Sequence, residues 1–166
     1  KRVQALGGAK NHLVVMPDAN INQVVDGIVG AAYGSAGERC MAVSVVVAVG
    51  DIADELVEKI NLNIQKLKIA PWTDNESDMG PLISKDHFDK VNNYIDLGVR
   101  EGASLISDGR NYKLQGYENG YFMGPTLFDN VTKDMTIYKE EIFGPVLSVL
   151  RVKSYNEAIK LVNEHA

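Results

Sequence analysis

The chain holds one cysteine, Cys40, in 166 residues, with one tryptophan and three histidines. A single cysteine excludes an intrachain disulfide and leaves no thiolate set for a zinc site. His12, His87 and His165 are scattered without metal-ligand spacing, so no metal is expected. The absence of a disulfide framework fits a reducing compartment. Long apolar runs are also missing. The longest, Val45 to Val49, is far shorter than the ~20 residues a membrane-spanning helix needs, so no membrane partner is expected. Basic residues number 17 against 22 acidic ones, a net charge of -5. Without a basic patch a nucleic-acid role has no electrostatic footing. Lys1-Arg2-Val3-Gln4 lacks a signal-peptide pattern and a starting methionine, and the last stretch runs uncapped to Ala166. Both features create the expectation of a segment cut from a longer chain.

What is present describes one globular unit. Hydrophobic residues make up 45% and charged residues 23%, enough for a single core. Leu13 to Met16 reads as a buried strand. Ile21, Val24, Val25, Ile28 and Val29 follow helical spacing, with Asp18 or Asn20 as cap. Val43 to Val49 is apolar on both faces and β-branched, as in a central parallel strand. Ile52 to Leu67 and Ser84 to Glu101 return to helical period, separated by a loop from Pro71 to Pro81. Ala103 to Ile106 reads as a short strand and Asn111 to Gly120 as a turn or hairpin. Tyr121 to Phe128 holds a strand interrupted by Gly124-Pro125, and Val146 to Val152 is another. Ser154-Tyr155-Asn156-Glu157 fits a capping box opening a last helix. Strands alternating with helices predict an α/β fold, a mostly parallel sheet flanked by helices.

Cys40 stands apart from any apolar stripe. It follows the glycine-bearing Gly34-Ser35-Ala36-Gly37-Glu38-Arg39, and the adjacent Arg39 cation favours a thiolate. The apolar strand after it supplies a rigid base for a nucleophile. The bland alternative is a small buried hydrophobe, the common fate of a cysteine. A nucleophilic thiol would suit a thiol protease, an acyl transferase or an aldehyde oxidiser. Residue chemistry alone leaves these three open.

Longer strings narrow the field. Gly34 to Cys40 resembles the cysteine motif of the aldehyde dehydrogenases, and Glu140-Glu141-Ile142-Phe143-Gly144-Pro145-Val146 resembles their second hallmark. Met79-Gly80-Pro81-Leu82-Ile83 and Gly120-Tyr121-Phe122-Met123-Gly124-Pro125-Thr126-Leu127 fall between them in the family order. Gln4 to His12, Met16 to Asn20, Gly37 to Ala42 and Gly116 to Gly120 are similar to the acylating methylmalonate-semialdehyde branch.

The resemblance implies the family's catalytic-domain fold over residues 1–166, with the cofactor-binding and oligomerisation parts outside this chain. It implies Cys40 as nucleophile, with its backbone N–H serving the oxyanion, and NAD as oxidant. Glu141 would face the nicotinamide ribose and Phe143 the nicotinamide ring. Hydrolytic members carry a water-activating Glu four residues before the position of Lys10. Leu6 stands there and cannot take a proton, which implies transfer of the acyl group to coenzyme A. The substrate would be a small aldehyde, malonate or methylmalonate semialdehyde, whose carboxylate Arg39 could bind bidentately. The parent would be a homodimer or homotetramer in a bacterial cytoplasm or a mitochondrial matrix. Surface charge is the bland reading of Glu141 and core packing that of Phe143. Gly7, Gly8 and Lys10 read as a glycine turn, and His12 as a satisfied polar residue. Two other readings stay open: a different aldehyde dehydrogenase, and an inactive binding module that kept the fold.

Overall fold

A computed structural model describes residues 1–165. The elements in chain order are β1 (Asn11–Val15), α1 (Ile21–Tyr33), β2 (Val43–Val49), α2 (Ala53–Ile64), α3 (Lys85–Arg100), β3 (Ser104–Ser107), β4 (Thr126–Asp129), α4 (Thr136–Lys139), β5 (Val146–Val152) and α5 (Tyr155–Asn163). The strands form one sheet in the order β1-β2-β5-β4-β3. The β1–β2, β2–β5 and β5–β4 pairs are parallel, and β3 joins β4 antiparallel at one edge. The expected α/β fold with a mostly parallel sheet is what forms.

β2 explains the two-layer packing. Side chains alternate across a strand. Val46 and Ala48 pack on one side with Ile28 and Ala32 of α1 and Leu56 and Ile60 of α2. Val45, Val47 and Val49 pack on the other with Val91 and Ile95 of α3 and Ala158 of α5. Each fully buried valine contributes about 1.5–3 kcal/mol relative to exposure, so a strand apolar on both faces is driven to the centre.

Local signals set the helix starts. Asn20, rather than Asp18, caps α1, its side chain accepting from Gln23 N–H at 3.3 Å. Ser154 Oγ accepts from Glu157 N–H, as a capping box requires. The return bond falls one residue early, from Lys153 N–H to Glu157 Oε2 at 2.8 Å. The strand expected from Tyr121 begins only at Thr126. Gly124 N–H bonds Gly109 O instead of a ladder partner, and a Cβ on Gly109 would lie 1.8 Å from Gly124 O. Asn111 to Gly120 contains turns and no paired strands. The short α4 was not anticipated.

The parallel topology decides where function can gather. The four parallel strands start on the same side of the sheet. The segments that lead into β1, β2 and β5, ending at Lys10, Ala42 and Pro145, therefore lie together at the amino ends of adjacent strands.

Candidate active site

The first segment at this edge carries the cysteine. α1 ends at Tyr33 and the chain makes a short 3-10 turn through Gly34–Gly37. Ser35 (φ 52°), Ala36 (φ 53°) and Gly37 (φ 70°) are all left-handed. This conformation costs a non-glycine residue roughly 1–2 kcal/mol, so Ser35 and Ala36 must be held there by their surroundings. Arg39 provides part of the hold. Its Nη2 donates to Gly30 O at 2.9 Å, which also accepts from the cap N–H of Gly34, and to Ala31 O at 2.8 Å, so the guanidinium closes over the last turn of α1.

The chain then turns from Arg39 to Ala42, closed by Ala42 N–H to Arg39 O at 3.0 Å. Cys40 lies at the corner of this turn, and its thiol is free and exposed. Asn11, the first residue of β1, donates through Nδ2 to both Cys40 O and Ala42 O at 2.9 Å each. The exposed nucleophile candidate is thus anchored on both sides and stands directly before the buried floor of β2.

The second segment leads from α4 into β5. Phe143 has φ 60°, another left-handed non-glycine residue. Glu141 is half-buried and its Oε2 accepts from Gly8 N–H at 3.1 Å. Lys10 Nζ donates to Ile137 O at 2.6 Å and Glu140 O at 2.8 Å. Burial pushes the Lys10 amine down to about 8, against the opposing pull of Glu141 and then Glu140. Tyr94 of α3 donates its hydroxyl to Glu140 Oε2 at 2.6 Å. His87, also on α3, places Nε2 2.5 Å from Phe143 O.

The two segments touch at Gly37 and Gly144. A Cβ on Gly37 would lie 2.2 Å from Gly144 O. A narrow cleft runs between them, with Asn11, Arg39, Ser44, Glu141 and Phe143 among its walls. Three of the four expected site residues, Arg39, Glu141 and Phe143, share this cleft, and Cys40 follows Arg39 on the exposed turn. Leu6 is exposed as well. Among the described residues no group of three or more His, Cys, Asp or Glu side chains could hold a metal ion. None of their helices is long and apolar enough to cross a membrane.

Sequence reasoning missed Lys10, Asn11, Glu38 and His87. Lys10 and Asn11 lay inside a string noticed for its glycines, and no rule of spacing connects them to residues more than a hundred positions away in one case and about thirty in the other. His87 is an ordinary first-turn residue of α3 by pattern. His12 is the satisfied polar residue expected: Nδ1 meets Lys10 O at 2.9 Å and Nε2 meets Tyr138 Oη at 3.0 Å.

Known proteins match this arrangement. The model of the aldehyde dehydrogenase family covers residues 1–166. The malonate-semialdehyde dehydrogenase of Pseudomonas aeruginosa is 58% identical over 99% of this chain and 33% of its own length. The crystal structure of methylmalonate-semialdehyde dehydrogenase from Oceanimonas doudoroffii superposes with a TM-score of 0.93 at 53% identity, over 96% of this chain and 33% of that one. The Mycobacterium tuberculosis aldehyde dehydrogenase complexed with NAD+ gives 0.89 at 31% identity, over 95% and 32%. The chain therefore spans about a third of the length of the curated relatives it matches.

Proposed function

The chain belongs to the aldehyde dehydrogenase family, and from that premise we propose that it is the nucleophile-bearing segment of an NAD-dependent, coenzyme A-acylating malonate- or methylmalonate-semialdehyde dehydrogenase. The observation that carries this reading is the exposed Cys40 thiol, held at the corner of an anchored turn beside a cleft walled by Arg39, Glu141 and Phe143. Relatives named for malonate semialdehyde at more than half identity support the substrate class.

Cys40 as thiolate attacks the aldehyde carbon, and its own backbone N–H serves as a donor to the developing oxyanion. Glu141 and Phe143 fit a dinucleotide. The Glu141 carboxylate is held by a backbone N–H and can accept from ribose hydroxyls, and Phe143 offers a half-exposed ring as a wall for the nicotinamide. NAD bound there supplies the hydride acceptor. The acyl group remains on Cys40 as a thioester. With Leu6 where hydrolytic members keep a carboxylate, water lacks a base and the thiol of coenzyme A takes the acyl group. Carboxylate loss along this path gives acetyl- or propionyl-coenzyme A.

Arg39 reaches the substrate carboxylate with Nη1 alone, a single charge-assisted donor rather than a fork, since both Nη2 hydrogens are engaged by Gly30 O and Ala31 O of α1. In this reading the adenosine-binding and oligomerisation parts lie outside residues 1–166, and the complete enzyme is a homodimer or homotetramer in a reducing compartment, a bacterial cytoplasm or a mitochondrial matrix.

The test is NADH formation by the full-length enzyme from NAD and malonate semialdehyde, with and without coenzyme A. Steady turnover only with coenzyme A is expected. Equal turnover without it removes the Leu6 argument and leaves a hydrolytic aldehyde dehydrogenase. In the same assay Arg39→Ala raises KM for the semialdehyde; an unchanged KM removes its carboxylate role.

A further inference from the structure

We propose that His87 and Glu38 form a positioning bridge that locks the Phe143 segment to the cysteine segment, with His87 setting the wall against which the cofactor binds. This rests on the reading of Cys40 and Phe143 above.

Both side chains are largely withdrawn from water, with 16% of His87 and 15% of Glu38 exposed. His87 Nε2 lies 2.5 Å from Phe143 O and 3.3 Å from Glu38 Oε1. Both neighbours are acceptors, so Nε2 carries the proton; it donates to Phe143 O, with the Glu38 carboxylate close beside it. The same Glu38 oxygen accepts from Ile83 N–H at 3.2 Å. Glu38 stands two positions before Cys40. The bridge therefore joins three loops: the cysteine segment, the stretch after Pro81 and the Phe143 segment.

The contact with Phe143 is double. Besides the carbonyl, the His87 ring meets the Phe143 ring edge-on, centroids 6.2 Å apart and planes at 69°. Phe143 is left-handed at φ 60°, a conformation that persists only when its neighbours over-determine it. His87 fixes the carbonyl and ring of this residue. The α3 frame holds the next one, since a Cβ on Gly144 would lie 2.7 Å from Val91. His87 is itself fixed, its backbone N–H donating to the α3 cap Ser84 Oγ at 3.2 Å. A residue placed this way touches neither substrate nor reacting atoms. Its effect must pass through Phe143 on one side and Glu38 on the other.

The test uses the full-length enzyme with NAD and malonate semialdehyde. His87→Ala is expected to raise KM for NAD about tenfold while KM for the semialdehyde stays within about twofold, the split a cofactor-side positioning loss produces. His87→Gln keeps an N–H donor near the Nε2 position and restores KM for NAD to within about threefold of wild type. Glu38→Ala combined with His87→Ala gives less than the product of the single losses, since both act through one bridge. A lowered melting temperature with KM for NAD unchanged overturns the proposal, because a plain structural histidine behaves that way. No rescue by Gln, or fully multiplicative losses, also overturns it. A wild-type enzyme that never reduces NAD is seen before any variant is made; it defeats the functional reading and takes this inference with it.

Discussion

The segments entering β2 and β5 do similar work by different means. Both bend through left-handed non-glycine residues, Ser35 and Ala36 in one and Phe143 in the other. The cysteine segment draws much of its hold from nearby in sequence: Arg39 reaches back eight and nine residues to α1, and the turn at Cys40 closes on itself, with Glu38 and Asn11 as its long-range ties. The Glu141 segment is held from afar. Its partners Gly8, Lys10, His87 and Tyr94 lie 133, 127 or 130, 56 and 46 residues away. The proposed nucleophile needs an exposed atom on a stiff local support, whereas the proposed cofactor wall can be built from whatever the fold brings beside it. The comparison teaches that the second segment is the part whose geometry depends on the whole sheet being in place.

The largest effect should come where the two segments meet. Gly37→Ala forces alanine to φ 70° and drives its Cβ to 2.2 Å from Gly144 O. A main-chain atom cannot swing aside, so a loss of roughly 3 kcal/mol or more is expected in urea unfolding. Gly7→Ala, where nothing lies within 4 Å of the added Cβ, is the matched control and should change little. A loss below about 1 kcal/mol at Gly37 would mean that the segments are not locked together and would break the comparison.

A second effect tests remote holding. Lys10→Met leaves Ile137 O and Glu140 O without their donor, and about 1–3 kcal/mol of stability should go. The pH dependence has a definite sign. The folded amine titrates at about 8 and the unfolded one at 10.5. Between those values the unfolded chain holds the extra proton, so this group's contribution to stability grows as pH rises from about 8 to about 10.5. Below pH 8 the burial penalty on the charged amine is present in full. The gap between wild type and Lys10→Met should therefore widen by about 1–3 kcal/mol across the window, measured as urea midpoints at pH 7.5 and 10. The other titrating groups are common to both proteins and cancel. A gap that stays flat would mean that Lys10 is solvated and pins nothing.

This contrast also explains what could be read in advance. β2 was legible because Val45, Val47 and Val49 alternate with Val46 and Ala48, an apolar pattern with one central solution in a parallel sheet. Asn20 and Ser154 were legible as caps because a cap acts within three residues. Cys40, Arg39, Glu141 and Phe143 were singled out through family strings; residue chemistry alone reached only an activated thiol. Lys10, Asn11, Glu38 and His87 were not singled out, because their partners are set by topology and no period or short motif encodes them. Ser35 and Ala36 gave no sign either, since left-handed backbone is foreseen at glycine and seldom at alanine. The late start of β4 at Thr126 is of the same kind: it follows from the approach of Gly109, 17 residues upstream of Thr126.

The smallest effect bears on the remote contact made by the Cys40 turn itself. Asn11 Nδ2 bridges Cys40 O and Ala42 O, and it sits in the same short strap as Gly8 and Lys10. If nearby contacts dominate here, Asn11→Ala should cost only about 0.5–1 kcal/mol, because water can reach the freed carbonyl of Cys40. The rate of Cys40 alkylation by iodoacetamide should then rise by less than about threefold, reflecting a slightly looser turn over an unchanged floor. A loss as large as that of Lys10→Met, with alkylation faster by tenfold or more, would show that both segments hang from the Gly8–Asn11 strap. The distinction between local and remote support would then collapse, and the strap would become the element that assembles the site.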